Sequence, residues 1–259
     1  MMQLILYSYL ALIGLCLGSF LNVLADRLSM QQSILGRSHC DHCRRTLNWR
    51  DLVPLFSFLW TRGKCRRCHK KLSVQYPAVE MLTAASYVFA WMYAPHASLV
   101  GHILTLALIS VLIVIFLADI RYQIIPDEMQ VAGLVVATAL ILVSPTASIG
   151  VFLQAMLAGL YTMLPIFAIY ALTRGRGMGF GDVKWAFVMG YLLGFPEGWV
   201  ALYAAFILGG VVGAALLLSS RAKLKQKIAF GPFLIAATVF VYFTQSSATA
   251  SFLHLIGYQ

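Results

Sequence analysis

Four cysteines and two aspartates carry most of the chemistry that this sequence suggests. Cys40-Asp-His-Cys43 and Cys65-Arg-Arg-Cys68 form two CxxC pairs with 21 residues between them. A two-residue gap lets both thiolates of a pair face one ion. Four thiolates then complete a closed tetrahedral site, so the spacing predicts a structural zinc ribbon. Disulfides or free thiols are the alternatives. His39, His42 and His69 are spare ligands nearby, but the cysteines already make two matched pairs, and an all-cysteine site is expected. The flanking Arg and Lys residues would favour the thiolates and offset the charge of such a centre. Cys16 lies in an apolar run and is expected to be a buried small hydrophobe.

Among the nine acidic residues, Asp119 and Asp182 stand apart. Asp119 ends the apolar run SVLIVIFLADI, and Asp182 directly precedes the run VKWAFVMGYLLG. Carboxylates at the edge of a membrane span are expensive and usually functional. Two facing carboxylates cannot easily both ionise, so one stays protonated near neutral pH. The ionised partner can then take a proton from water while the protonated one polarises a carbonyl, which is acid–base amide hydrolysis. Gly179 and Gly181 precede Asp182 in GMGFGDVK and would let a neighbour or substrate strand approach. An ordinary loop with Asp182 as helix N-cap is the plainer alternative. Asp127, after Pro126, is the rival of Asp119, or else caps the next helix.

The elements that must hold these residues are membrane helices. Hydrophobic residues make up 61% of the chain, charged ones 11%, and the mean hydropathy is +0.83. A soluble domain carries about 25% charged residues. Apolar runs of roughly spanning length fall near 4–24, 76–94, 99–118, 129–144, 149–173, 183–195, 198–219 and 229–254. The fourth and sixth are short, which suits tilted, re-entrant or cavity-lining segments. The opening run reads as a span rather than a cleavable leader. With residue 1 outside and eight crossings, all 19 Lys and Arg residues lie in or beside the inside segments 25–75, 119–128, 174–183 and 220–228. That asymmetry is the positive-inside rule. It explains the net charge of +10 without nucleic acid. The expected architecture is an all-α polytopic membrane protein with about eight transmembrane helices and a small cytoplasmic zinc-ribbon-like loop. Its expected divisions are a first helix at 1–24, the four-cysteine loop at 25–75 and a membrane domain at 76–259. A cytoplasmic location also favours zinc over disulfides.

These features together resemble the type 4 prepilin peptidases, GxGD-type intramembrane aspartyl proteases, over nearly the whole chain. The resemblance is carried by GSFLNV (Gly18 to Val23) with Arg27, the two CxxC pairs with LNW between them, YPAVE ending at Glu80, ADIRYQIIPD from Ala118 to Asp127, and GFGDVK from Gly179 to Lys184. The sequence departs from many relatives in reading CDHC, without proline after the first cysteine, and Leu-Ser-Met after Arg27. The resemblance implies that Asp119 and Asp182 are the catalytic pair, with Gly179, Gly181, Lys184, Pro126, Asp127 and Glu80 around the site. It implies cleavage of short basic leaders from prepilins or pseudopilins at the cytoplasmic face of the bacterial inner membrane, after a glycine. The pilus and protein-secretion systems are the setting. N-methylation of the new N-terminus by S-adenosylmethionine is implied too, although no glycine-rich cofactor motif is evident. A proton- or cation-coupled transporter using the aspartates, and an assembly scaffold using the zinc loop, are the competing functions. Neither oligomeric state nor the particular substrate follows from the sequence.

Overall fold

The computed structural model describes residues 1–40, 42–95, 98–219 and 229–255, with side chains up to Thr244. The last basic segment expected inside, 220–228, therefore lies outside the described residues, as does Asp41. Every helix longer than a few turns coincides with one of the expected apolar runs. In chain order they are α1 (Met2–Ser29), α3 (Gln75–Tyr93), α4 (Leu99–Tyr122), α5 (Asp127–Val143), α6 (Ile149–Thr173), α7 (Phe180–Leu193), α8 (Glu197–Leu218) and α9 (Gly231–Leu255). A short α2 (Phe56–Trp60) and a 3-10 turn at Trp49–Asp51 lie between α1 and α3. Helices α1, α4, α6 and α8 are long and apolar enough to cross a membrane by length and composition alone, and the chain is a multi-pass membrane protein.

The chain divides into two compact units, Met1–Tyr93 and Ala94–Gln259. In the first, α1 lies against α3. Gly14 and Gly18, one helical turn apart, make this possible. A Cβ on Gly14 would sit 2.6 Å from the Ala84 Cα, and one on Gly18 would sit 2.8 Å from the Glu80 Cα. Small residues at this spacing let two membrane helices pack backbone to backbone. The other face of α1 presents Leu4, Ile5, Tyr9, Leu12 and Ile13, exposed as a lipid-facing surface should be. Cys16 is on that exposed face too, so the expected burial in protein does not hold: its thiol is a lipid-compatible surface group.

In the second unit α7 is the hub. It packs against α5, α6, α8 and α9. At 14 residues it spans only about 21 Å, too short for the roughly 30 Å hydrocarbon layer. Its apolar residues are buried by protein instead: Trp185, Met189 and Tyr191 are almost fully enclosed. Glycines again set the spacing. A Cβ on Gly159 of α6 would lie 2.9 Å from the Phe187 ring, and one on Gly190 of α7 would lie 2.7 Å from the Ala158 carbonyl oxygen. Two polar pairs tie the bundle together. Thr105 and Tyr242 join α4 to α9 at 2.9 Å, and Thr138 and Tyr191 join α5 to α7 at 3.1 Å.

Candidate active site and metal centre

The metal centre forms in the loop of the first unit from two nearly equivalent knuckles. In the first, Cys40 N–H donates to the Arg45 carbonyl and Arg44 N–H donates back to Cys40, closed by an antiparallel bridge between His39 and Thr46. In the second, Cys65 N–H donates to Lys70 and His69 N–H donates to Cys65, with a bridge between Lys64 and Lys71. The residue after the second cysteine is left-handed in both, Arg44 at φ 53 and His69 at φ 54. That unusual conformation for a non-glycine residue turns each knuckle back on itself.

The four thiols converge, with all Sγ atoms within 4.8 Å of one another and Cys40 Sγ to Cys68 Sγ at 4.0 Å. A tetrahedral zinc–thiolate centre with bonds of about 2.3 Å has sulfur–sulfur edges of roughly 3.8 Å. The cage fits that ion, while a disulfide of about 2.05 Å does not match the observed separation. Backbone N–H groups of Cys68 and Arg67 aim at the Cys65 sulfur and lower its pKa to about 6. Cys68 behaves oppositely. The Lys70 N–H favours its thiolate, but burial and the three neighbouring thiols outweigh it and push the pKa up to about 11. Four thiolates in one cage therefore need a cation among them. The surrounding loop is pinned to the helices. Arg27 donates to the carbonyls of Ile34, Gly36 and Arg37 at 2.6, 3.2 and 3.3 Å. Asp51 pairs with Arg66 at 3.0 Å and accepts the Asn48 N–H at 3.1 Å, so it serves as local cap and cross-brace. Glu80, buried in α3, accepts the Leu55 N–H at 2.8 Å and holds that left-handed residue (φ 56) in place.

The carboxylate site lies in the second unit. Asp119 is one turn from the end of α4, which closes at Gln123, left-handed at φ 55 with its N–H bonded to the Asp119 carbonyl. Asp119 is only 5% exposed. Its Oδ2 accepts the Gly231 N–H from the start of α9 at 2.8 Å. Asp182 is half-buried in the first turn of α7. It is not the N-cap. That position belongs to Gly179, and Asp182 Oδ2 reaches back to accept the Gly179 N–H at 3.1 Å. Asp119 lies within electrostatic reach of Asp182. Gly181 brings α7 to this place, because a Cβ there would lie 3.2 Å from the Ile125 Cβ in the α4–α5 connection. Pro126 is the N-cap of α5. Gln130 donates to the Ile125 carbonyl at 3.2 Å and steadies that connection. Asp127 opens α5 and is exposed. It forms an ion pair with Lys184 at 2.5 Å and accepts from Gln130 at 3.3 Å.

Over residues 12–94 the chain matches the model of the Bacterial Peptidase A24 N-terminal domain, and over 106–215 that of the Type IV leader peptidase family. It is 32% identical over 250 residues to the prepilin leader peptidase/N-methyltransferase of Bacillus subtilis (strain 168), covering 96% of this chain and 98% of that one. The chain belongs to the prepilin leader peptidase family. Two further family members, both prepilin leader peptidase/N-methyltransferases, are each 29% identical. One, from Pectobacterium carotovorum subsp. carotovorum, matches over 90% of this chain and 91% of its own, and the other, from Aeromonas hydrophila, over 89% and 88%. No solved structure matches the chain. The first family model takes in the metal centre and Glu80, and the second takes in both aspartates. Gly231 lies beyond the second model. Neither composition nor motif spacing marks it as functional. Its one local signal is the Phe-Gly-Pro step at 230–232, where glycine and proline open an apolar run.

Proposed function

We propose that this chain is an intramembrane aspartyl endopeptidase that removes the short basic leader from prepilins or pseudopilins, and that Asp119 and Asp182 are its catalytic pair. The observation that carries this reading is that Gly181 sets the start of α7 against the α4–α5 connection, so that half-buried Asp182 lies within electrostatic reach of buried Asp119 from a distant part of the sequence. Like charges so placed favour a singly protonated pair. On each side Oδ2 is engaged by a backbone N–H, which leaves Oδ1 for water and substrate. The ionised carboxylate takes a proton from water as the oxygen attacks the scissile carbonyl. The protonated one donates to the carbonyl oxygen. Collapse of the tetrahedral intermediate breaks the C–N bond, and the leaving amine takes up a proton from the pair. Lys184, two residues after Asp182, pairs with Asp127 and neutralises its charge.

The metal in the four-cysteine cage is zinc, held by Cys40, Cys43, Cys65 and Cys68 and serving structure, because all four positions are taken by protein. The active site and this loop face the cytoplasm of the bacterial inner membrane, a placement that the Lys and Arg distribution supports. N-methylation of the new N-terminus follows from the names of the relatives. S-adenosylmethionine would supply the methyl group. The transporter alternative gains no support from the relatives. Mass spectrometry of a prepilin-type substrate incubated with reconstituted protein tests the reading: a cut before an apolar helix, with or without an added methyl group, is expected. An uncut substrate would overturn it.

A further inference from the structure

We propose that the backbone of Gly231 positions Asp119 for the reaction, a role that rests on the protease reading. Gly231 opens α9, and its N–H meets Asp119 Oδ2 in a buried bond. The first turn of a helix leaves its N–H groups without helical partners. In α9 that turn is nearly used up. Pro232 has no N–H, and the N–H groups of Phe233 and Leu234 both donate to the Phe230 carbonyl, at 3.0 and 3.3 Å. The donor that remains in the turn is the one aimed at Asp119.

Space fixes the residue type. A Cβ at 231 would lie 2.6 Å from Asp119 Oδ2, 2.9 Å from its Cγ and 3.2 Å from its Cβ. The crowding reaches the carboxyl carbon and the Cβ, so the whole side chain would have to turn away. Glycine is needed for the close approach, not for an unusual φ. The contact does two things. It fixes the orientation of the carboxyl plane, with Oδ2 held and Oδ1 presented. It also places the positive end of a long helix against a carboxylate, an attractive arrangement. Gly231 touches Asp119 and acts through it.

The test uses the full chain, reconstituted, with a synthetic prepilin-type peptide and separate kcat and KM. Replacing the Phe230–Gly231 amide by an ester, with glycolic acid introduced at 231, deletes the N–H and adds no bulk. This should lower kcat about 10- to 100-fold and leave KM within about twofold, because the lost donor serves Asp119 rather than substrate binding. Gly231→Ala should lower kcat at least as far. Gly209→Ala is the packing control. Its new Cβ would lie 3.3 Å from Phe233 Cδ2, against the same start of α9, and it should keep wild-type kcat. Wild-type kcat in the ester protein overturns the proposal. So does a loss confined to KM, or an equal loss in Gly209→Ala. Asp119→Asn, assayed alongside, separates the two claims. Activity there would sink the catalytic pair itself, whereas an active ester protein beside an inactive Asp119→Asn sinks only the role of Gly231.

Discussion

The two polar centres of this protein differ in how fully the chain satisfies them. The four-cysteine cage is closed: each thiol faces three others, and the loop around it is tied down by Arg27, Asp51 and Glu80. Such a centre has no open position, so it can stabilise but not react. The aspartate pair is open. Each carboxylate has one oxygen held by a backbone N–H, and Asp119 lies within electrostatic reach of Asp182. A metal bound at the first centre would stabilise a loop too small to have its own core. The second keeps an unfavourable juxtaposition in place because the surrounding helices are locked by α7. One molecule thus separates the part that needs saturation from the part that needs incompleteness.

The sharpest way to break that contrast is at the open centre. Asp119→Asn or Asp182→Asn should each cut turnover of a prepilin-type peptide by at least about 10²–10⁴-fold, with an unchanged thermal midpoint in detergent. Cleavage at the wild-type rate in either protein would remove the pair from the mechanism. At the closed centre the consequence should be structural. Cys65→Ser, or exhaustive chelation, should release one equivalent of zinc by elemental analysis and expose the 30–75 loop to protease. An unaltered protein that carries no metal would end the zinc assignment.

Smaller effects test how each centre is held. Glu80→Ala leaves the Leu55 N–H without its acceptor, at a cost of about 1–3 kcal/mol, read as a lower unfolding midpoint with the metal still bound. The smallest change is expected at the exposed ion pair. Asp127→Asn should cost about 0–1 kcal/mol and keep cleavage within a few-fold, since Asp127 pairs with Lys184 on the surface. An Asp127→Asn protein as inactive as Asp119→Asn would move the catalytic role to the wrong side of Pro126 and erase the distinction between the two acids.

How much of this is legible in the amino-acid sequence depends on how local each feature is. A CxxC knuckle closes within a few residues, so its spacing alone announces the cage. The apolar runs announce the helices, because a span must satisfy its backbone internally and bury its polar groups. The preference for Asp119 over Asp127 follows from position at the end of an apolar run, with no contact needed to support it. Asp182 is less plain. As a sequence feature it is also an ordinary helix-start residue, and its actual place, reaching back to Gly179, differs from the N-cap that propensity suggests.

Sequence alone therefore determined the membrane character, the order of the helices and the grouping of the four cysteines, because each depends on composition or short spacing. Only the tertiary structure decided which surfaces meet. It buried short α7 at the centre of its unit, put Cys16 on an outer face, occupied Asp127 with Lys184 and brought the N–H of Gly231 to Asp119 across 112 residues of sequence. Contacts of that range are set by helix packing, and packing here turns on glycines whose role is to be absent side chains. A missing Cβ leaves no local chemical mark, so its meaning exists only once the neighbour that fills the space is known.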